Sequence, residues 1–428
     1  MKLALVNPNW RFAGSIYFGC QEPHLPLEFG YAQALLERAG HDVLLVDAAL
    51  EELSPAALQD QIAAMAPDIT VIATAPSYLF WRCPPPELRV PQDTAALLRP
   101  FSSQLVLVGP HPSTTPWAAL RKTGADIAVL GECEAVLTQL AERPRAHVDG
   151  IAYFAQGQYV RQGHSTATDL AALPALTWPA RLIQRHRHHH HRFDDQQYGY
   201  GAEVESSRGC PYSCTFCAKS DHRDAYRKRP VDVVLTEIDR LIEQGVGYVY
   251  FIDEIFLPNM SLLAGLAARS IKFGIQTRID LWKPEQLDLL GQAGCMSIEA
   301  GVESISPAGR QFLNKRCKLS TAELQALLLR ARQTVPFVQA SLLDAKTDDP
   351  QAIEHWREQL LENGVWANKP VPMFPYPGSP DYFAIWGPPD DRAWERAVDH
   401  YLEHFSEFSD IQHDHPLPLH KLERTSHR

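Results

Sequence analysis

The sequence has no long apolar run and no excess of positive charge. No segment approaches the ~20 consecutive apolar residues that a membrane-spanning helix needs, so we do not expect a membrane protein. Lysine and arginine (40) are outnumbered by aspartate and glutamate (51), which gives a net charge of −11. Surfaces that bind duplex nucleic acid concentrate positive charge, and nucleic acid is therefore an unlikely partner.

A secretory signal is also missing. The apolar start of the chain is interrupted by Asn7, Pro8 and Arg11, which predicts a first strand rather than a signal peptide. We therefore expect a cytoplasmic protein, whose thiols are kept reduced. Three of the eight cysteines, Cys210, Cys214 and Cys217, fall within eight positions. In a reducing compartment such clustering indicates metal ligation or nucleophilic chemistry before disulfides.

The length and composition indicate a folded chain of several domains. At 428 residues, 45% hydrophobic and 21% charged, the chain has enough apolar material for more than one core. In residues 1–150, short apolar runs alternate with helical patterns, which predicts a parallel sheet flanked by helices. We expect a flavodoxin-like, doubly wound domain. Its five strands are predicted at Lys2–Val6, Val43–Asp47, Ile69–Ala73, Leu105–Val108 and Ile127–Leu130.

In this architecture, ligands bind beyond the carboxyl ends of the strands. The predicted strand ends are rich in Gly, Ser, Thr and Pro, which let the backbone approach a flat ligand closely. No G-x-G-x-x-G follows the first strand, so dinucleotide binding is poorly supported. The segments concerned are Asn7–Trp10, Thr74–Tyr78, Gly109–Ser113 and Gly131–Glu134.

Residues 151–199 are predicted to be a linker. They begin with a hairpin-like stretch, Ile151–Val160, and contain the Leu-Pro-rich string DLAALPALTWPA. A run of histidines and arginines, Arg185–Arg192, follows. Metal binding, a solvated linker and a basic surface for an anionic ligand all remain open for this run, and we assign it no role.

The three clustered cysteines follow a predicted strand, Glu203–Arg208, with the spacing C-x3-C-x2-C. Three thiolates on one loop can bind three irons of a 4Fe–4S cluster and leave the fourth iron open, whereas an all-cysteine site needs four. Structural zinc, which takes four nitrogen or sulfur ligands, is the alternative. His222 could complete a zinc site, but no second C-x2-C pair exists.

Residues 200–385 are predicted to form a partial (β/α)6 barrel. Strands are expected at Tyr248–Ile252, Ile275–Ile279, Met296–Val302, Phe337–Leu343 and after Val365. In parallel barrels, the polar groups at the carboxyl ends of the strands form the site. The polar residues placed there are Asp253, Glu254, Arg278, Glu299 and Glu303. For each acid, a salt bridge or a helix cap is the alternative. Residues 386–428 are expected to be a small helical region, with a helix near Ala393–Phe405 and no functional signal.

Two sets of strings resemble known families. LVNPNW, GHDVLLVDA, PDITVIATAP, LVLVGPHPS and VLGECE resemble the cobalamin-binding domain that precedes some radical S-adenosylmethionine (SAM) cores. The string CPYSCTFC resembles the C-x3-C-x-aromatic-C signature of the radical SAM superfamily, and FIDEIFLPN, IEAGVES and PYPGSPDY resemble later segments of its cobalamin-associated members. The resemblance covers about residues 1–385. The chain lacks D-x-H-x-x-G, through which other cobalamin proteins donate a histidine to cobalt.

The resemblance implies three cofactors: a 4Fe–4S cluster, SAM and cobalamin. It places the cluster on Cys210, Cys214 and Cys217. It places SAM beside Phe216 and near the barrel residues Asp253, Glu254, Arg278 and Glu303. It places cobalamin, with its own base displaced and no protein histidine below cobalt, near Ser77, Gly109 and His111. No side chain is assigned a catalytic role.

The function implied by the resemblance is methylation of an unactivated carbon of a small molecule through a 5′-deoxyadenosyl radical and methylcobalamin. Oxidation, cyclisation or rearrangement without methyl transfer is the alternative within the same cofactor class. A cofactor-binding sensor or a tRNA-modifying enzyme is a weaker alternative. A reductase, ferredoxin or flavodoxin is expected to supply electrons.

Overall fold

The computed structural model describes residues 1–10, 23–77, 86–186, 199–219, 221–405, 407–408 and 417–418. Two sheets, one in each half of the chain, organise these residues. The first half contains β1 (Lys2–Asn7), α1 (Leu27–Arg38), β2 (Asp42–Asp47), α2 (Pro55–Met65), β3 (Ile69–Ala73), α3 (Arg89–Leu98), β4 (Gln104–Val108), α4 (Pro110–Thr114), α5 (Pro116–Thr123), β5 (Ile127–Val129), α6 (Glu134–Glu142), β6 (Ile151–Ala155) and β7 (Gln158–Gln162).

The first sheet confirms the predicted doubly wound fold. Its strand order is β2-β1-β3-β4-β5-β6-β7, and the first five strands are parallel. The order reverses between β1 and β3, which is where ligands of such sheets bind. The predicted hairpin of residues 151–160 exists as β6 and β7, and it joins this sheet antiparallel to β5. The first sheet therefore extends to Gln162, beyond the predicted domain boundary at residue 150.

Local sequence signals explain why these elements form where they do. The strands are short, almost wholly buried apolar runs, as expected for a sheet covered by helices on both faces. The side chain of Ser54 accepts a hydrogen bond of 3.2 Å from the amide of Ala57 and caps α2, whose first residue is Pro55. Gly124, at a φ of +67°, ends α5.

The second half contains α7 (Ala180–Ile183), β8 (Tyr200–Val204), β9 (Ser207–Arg208), β10 (Arg227–Lys228), α8 (Val231–Glu243), β11 (Val246–Phe251), α9 (Met260–Ala267), β12 (Lys272–Thr277), α10 (Pro284–Gln292), β13 (Cys295–Glu303), α11 (Pro307–Phe312), α12 (Thr321–Arg332), β14 (Phe337–Leu342), α13 (Pro350–Glu362) and β15 (Trp366–Ala367). The sheet order is β8-β11-β12-β13-β14-β15, and all six strands are parallel. This arrangement confirms the six predicted strands of an open (β/α)6 barrel.

Two details of the second sheet differ from the prediction. The strand expected at Glu203–Arg208 is divided: β8 ends at Val204, and β9 pairs with β10 instead of continuing in the sheet. Glu299 lies inside β13, opposite Gln276 and Gln339, and not at the carboxyl end of the strand. A strand position inferred from a short apolar run is least accurate at its ends.

The chain ends in α14 (Pro380–Trp386), α15 (Ala393–His404) and the short pair β16 (Glu407–Phe408) and β17 (Leu417–Pro418). The predicted helix near 393–405 is confirmed. A separate small core holds this region together, and its large members are Phe374, Tyr376, Tyr382, Trp394 and Tyr401. Among the described residues, no helix is both long and apolar enough to cross a bilayer.

Candidate functional site

The cysteine loop begins where β9 ends. Gly209 has a φ of +79°, and a Cβ at this position would lie 2.1 Å from the carbonyl oxygen of Ala225. Both the backbone angle and the close approach require glycine immediately before Cys210. The nearby amide of Cys217 donates 3.2 Å to the carbonyl of Cys214, so the second and third cysteines share one tight turn.

The loop is anchored on its far side by two other parts of the chain. The amide of Thr215 donates to the carbonyl of Leu313 (3.1 Å), just after α11. Asn314 Nδ2 donates to the carbonyl of Ser213 (2.6 Å), and the amide of Asp381 donates to the carbonyl of Thr215 (2.9 Å). The three cysteines therefore lie on a loop that is held at both ends.

None of the three cysteines is in a disulfide, and all three are partly buried. Burial raises the pKa of Cys210. Burial also raises the pKa of Cys214 to about 11, although the nearby Lys315 and Arg278 act to lower it. Metal binding must displace these protons, since the thiolate is the ligand. The neighbouring cations favour that ionised form.

The spacing of the donor atoms distinguishes a cluster from a single zinc ion. Two sulfurs bound to one zinc at about 2.3 Å each cannot be more than about 4.6 Å apart, whereas the cysteines of a 4Fe–4S cluster bind different irons. Among the described residues, one group of three metal-ligating side chains has all its donor atoms within 4.8 Å of one another. That group includes neither the three cysteines nor His222, so the donor atoms of these four residues are spread more widely. The three thiols therefore fit a cluster better than a zinc ion.

Two of the predicted SAM residues lie beside the cysteine loop. Lys315, Glu303 and Arg278 are the principal charged neighbours of Cys214. Arg278 lies 4.0 Å from the ring centroid of Tyr212 and forms an ion pair of 2.7 Å with Asp280. Lys315 forms an ion pair with Glu303.

Glu303 ends β13 in an unusual conformation. Its φ is +61°, which non-glycine residues seldom adopt and which is common at functional sites. Its side chain remains 14% exposed, unlike most acids of the interior. Phe216 is partly buried on the loop between Cys214 and Cys217. Their assignment to SAM stays a prediction.

Asp253 has a different environment. It is fully buried, and its carboxylate accepts hydrogen bonds from the amide of Ser206 (2.7 Å) and the hydroxyls of Ser206 (2.5 Å) and Ser207 (2.6 Å). Burial raises the pKa of Asp253 to about 7, although these three donors favour the ionised form. Its observed partners are therefore the residues that lead from β8 into β9.

Glu254 joins the cysteine loop to the interior. It accepts a hydrogen bond of 2.8 Å from the amide of Gly209, next to Cys210, and lies 3.2 Å from Arg223. Arg223 also binds Glu205 (2.8 Å) and Glu28 (2.7 Å), and its own φ is +58°. Burial raises the pKa of Glu254 and of Glu28, and Arg223 counteracts both shifts.

Arg208 forms the other half of this buried network. It binds Glu205 (2.8 Å), Glu132 (3.0 Å) and Glu134 (2.6 Å), and Arg227 also pairs with Glu132. Burial disfavours ionisation of Glu132, but the arginines outweigh burial and lower its pKa. Because Glu28, Glu132 and Glu134 belong to the first half of the chain, the network joins the two sheets. We call these three arginines and the five acids Glu28, Glu132, Glu134, Glu205 and Glu254 the interdomain ionic network.

The sequence analysis did not predict this network. Glu132, Glu134 and Glu254 were placed only at strand ends and in the strings VLGECE and FIDEIFLPN, and Arg208 only at the end of a predicted strand. One signal in the sequence could have indicated the network: its charged residues stand next to apolar runs. A carboxylate or guanidinium that is buried with such a run needs an oppositely charged partner.

The three residues predicted near cobalamin occupy distinct positions at the strand ends of the first sheet. Ser77 follows β3, accepts from the amide of Leu27 (3.1 Å) and donates to Glu28 (2.5 Å), so it fixes the start of α1. Gly109, with a φ of +118°, follows β4, and its carbonyl accepts from the hydroxyl of Ser113 (2.6 Å). That hydroxyl also accepts from the amide of Gly131 (2.9 Å).

His111 is fully buried under the end of the chain. Its ring centroid lies 4.3 Å from that of Trp394 on α15. Trp394 Nε1 donates 2.9 Å to the hydroxyl of Thr115, and Lys122 pairs with Glu395. The C-terminal region, in which the sequence showed no functional signal, therefore covers the end of β4. The assignment of Ser77, Gly109 and His111 to cobalamin stays a prediction.

Residues 204–349 match the Radical SAM superfamily. Among curated proteins, the chain is 24% identical over 332 residues to an uncharacterized methyltransferase, PH0819, of Pyrococcus horikoshii, a match that covers 74% of this chain and 68% of that protein. It is 25% identical over 379 residues to the anaerobic magnesium-protoporphyrin IX monomethyl ester cyclase of Cereibacter sphaeroides, which covers 80% of this chain and 56% of the cyclase. The match thus spans little more than half of the cyclase.

A solved structure shares the fold. The radical S-adenosylmethionine methyltransferase TsrM from Kitasatospora setae, solved with cobalamin and a [4Fe–4S] cluster bound, aligns with a TM-score of 0.69 over 89% of this chain and 76% of TsrM. The sequence identity is 17%, so the alignment establishes the arrangement of the two sheets and not the substrate.

Proposed function

We propose that this chain, which carries a radical SAM domain at residues 204–349, is a cobalamin-dependent radical SAM enzyme that methylates a carbon atom of a small molecule. The observation that carries the proposal is a loop of three partly buried cysteines at the carboxyl edge of a parallel sheet. None of the three is in a disulfide, and their spacing does not suit one zinc ion. The domain that precedes this loop in the chain is built on the first sheet. The parallel strands of that sheet have the order 2-1-3-4-5, which is typical of a ligand-binding fold.

Cys210, Cys214 and Cys217 would hold a 4Fe–4S cluster and leave one iron without a protein thiolate. When bound, the cluster and cobalamin supply the electron transfer and methyl transfer that no side chain provides. Lys315 and Arg278 place positive charge beside Cys214 and thereby favour its thiolate form. The carboxylate of Glu303 offers an acceptor for the ammonium or hydroxyl groups of SAM.

The strand-end loops of the first sheet would hold cobalamin. Asn7 is the last residue of β1 and Ser77 follows β3, so these two residues flank the reversal of strand order between β1 and β3. Cobalamin is large and has many amide groups, and backbone groups of the strand-end loops can bind it without a histidine ligand. We further propose a cytoplasmic reductase, ferredoxin or flavodoxin as the electron donor.

Cyclisation without methyl transfer is the second candidate, because the relative from Cereibacter sphaeroides is a cyclase. Product analysis separates the two. With its true substrate, a methyltransferase of this type forms S-adenosylhomocysteine and 5′-deoxyadenosine in about equal amounts, since SAM is used once for methylation and once for radical formation. A cyclase forms 5′-deoxyadenosine without matching S-adenosylhomocysteine.

The experiment uses anaerobically reconstituted full-length protein, methyl-deuterated SAM and extracts of the source cells. We expect label in a new product, detected by mass spectrometry, together with both nucleoside products. A substrate that triggers deoxyadenosine formation while the label never leaves SAM would overturn methyl transfer and favour cyclisation.

A further inference from the structure

A second group of ligand-type side chains lies away from the cysteine loop. His24 precedes α1, His186 follows α7, and Glu203 is the penultimate residue of β8. Nδ1 of His24 lies 2.7 Å, and Nε2 of His186 3.0 Å, from Oε1 of Glu203. All three residues are at most 2% exposed. Three separate segments of the chain thus bring two imidazoles and one carboxylate together.

The orientation of the carboxylate is fixed from outside the group. The amide of Leu25 donates a hydrogen bond of 2.9 Å to Oε2 of Glu203, whereas Oε1 faces Nδ1 of His24, and Nε2 of His186 lies 3.0 Å from both oxygens. Metal-binding carboxylates are commonly oriented by such hydrogen bonds from neighbouring groups. The three donor atoms that converge are therefore one oxygen and two nitrogens, a set that suits Zn²⁺.

The charges of the surroundings also suit a divalent cation. Asp47 is fully buried at the end of β2 and interacts electrostatically with His186. Two carboxylates and two neutral imidazoles balance one divalent ion, so the metal would be buried at no net charge.

From this geometry we propose that His24, His186 and Glu203 form a zinc site between the two halves of the chain. Ligands on one zinc lie about 2.0–2.2 Å from it, so the two nitrogen–oxygen distances of 2.7 and 3.0 Å need to lengthen by only a few tenths of an ångström to admit the ion. The site would join the segment before α1 and the segment after α7 to the first strand of the second sheet. Its role is to fix these segments, independently of the proposed methyl transfer.

The histidines that follow His186 need a control of their own. His188–His191 lie outside the described residues, and a run of histidines can chelate metal on its own account. The test therefore uses full-length protein in which His188–His191 are replaced by Ala. A second version also carries Cys210→Ala, Cys214→Ala and Cys217→Ala, so that no clustered thiolate can bind zinc.

Zinc content is measured by mass spectrometry after desalting, and affinity by competition with a chromophoric chelator. We expect about one equivalent of zinc in both versions. Glu203→Gln and His186→Gln should each weaken binding by at least about tenfold. The exposed residues Glu142 and His147 offer matched controls, and Glu142→Gln and His147→Gln should leave zinc content unchanged.

X-ray absorption at the zinc edge of the protein with native cysteines provides a readout that does not depend on the variants. It is blind to iron and cobalt, and we expect nitrogen and oxygen ligands at about 2.0–2.2 Å with no sulfur shell at about 2.3 Å. Three results would overturn the proposal. The first is loss of zinc when His188–His191 are replaced, and the second is zinc with sulfur ligands. The third is protein that contains no zinc and takes up none during incubation with Zn²⁺. In the last case, the group is a hydrogen-bonded ion pair.

Discussion

The charged residues at the carboxyl ends of the second sheet fall into two groups that the sequence presents as equivalent. After β11, Asp253 is fully buried and the side chain of Glu254 is 4% exposed. Both carboxylates bind amides or hydroxyls of the segment that leads into the cysteine loop. After β12 and β13, the side chains of Arg278 and Glu303 are 8% and 14% exposed, and both lie beside Cys214. We call these pairs the inner pair and the outer pair. We propose that the inner pair holds the loop and that the outer pair, whose members pair with Asp280 and Lys315, contacts SAM.

The largest effect is expected at the loop that both pairs adjoin. Changing Cys210, Cys214 or Cys217 singly to Ala should abolish 5′-deoxyadenosine formation, because each thiolate binds a different iron. The triple change should abolish iron binding. Cys133 is buried in the first half of the chain, and Cys133→Ala should leave the iron content intact. Iron retained by the triple variant would show that the cluster is elsewhere.

The interdomain ionic network should show the next largest effect. Arg223→Met leaves the carboxylates of Glu28, Glu205 and Glu254 without their shared cation, and breaking a buried pair typically costs about 3–5 kcal/mol. The midpoint of denaturant unfolding should fall markedly. The matched control is Arg269→Met, which breaks a more exposed pair with Asp239 and should cost less than about 1 kcal/mol. Equal effects of the two variants would contradict the structural role of the network.

A pair of isosteric changes tests the comparison itself. Glu254→Gln removes the charge that binds Arg223 and Gly209, so we expect less iron retained after reconstitution. Glu303→Gln should retain iron but lower 5′-deoxyadenosine formation by about tenfold, the usual order for one lost charged contact to a reactant. The exposed Glu362 provides the control, as Glu362→Gln. If Glu303→Gln loses iron and Glu254→Gln loses only turnover, the roles of the inner and outer pairs are reversed.

The smallest effect concerns the pH dependence of stability. Burial raises the pKa of Asp253 to about 7, above its value of about 4 in the unfolded chain. The folded form then binds the extra proton between about pH 4 and 7, so this residue makes stability fall as pH rises through that window. Asp253→Asn should flatten that part of the profile of apparent unfolding midpoint against pH. An unchanged slope would show that Asp253 is ionised throughout. Asp47, whose pKa burial also raises to about 7, supplies a similar slope that the variant keeps.

Short-range patterns predicted the fold well, and long-range contacts limited the prediction of the site. Apolar runs of strand length located both sheets, because a parallel strand is buried on both faces wherever its partners lie. The residues that follow each strand could be placed at one edge, but their partners could not. Arg208 meets Glu132 across 76 positions, and Trp394 meets Thr115 across 279. No local sequence pattern encodes contacts between residues so far apart in the chain. For the same reason, the sequence places Glu254 near SAM but does not predict its hydrogen bond with the amide of Gly209.

The histidine run shows the same limit. From sequence alone it permitted several interpretations, and the position of His186 beside His24 and Glu203 distinguishes its first histidine from the others. Residues 187–192 of the run lie outside the described part of the chain.

The central claim is that the cysteine loop carries a cluster with one iron open to SAM. The most direct test is electron paramagnetic resonance of anaerobically reconstituted, reduced protein with and without SAM. We predict the signal of a reduced 4Fe–4S cluster whose shape changes when SAM is added, because SAM binds the open iron. Protein that contains stoichiometric zinc on Cys210, Cys214 and Cys217 and no iron, or a cluster signal that SAM leaves unchanged, would contradict the account.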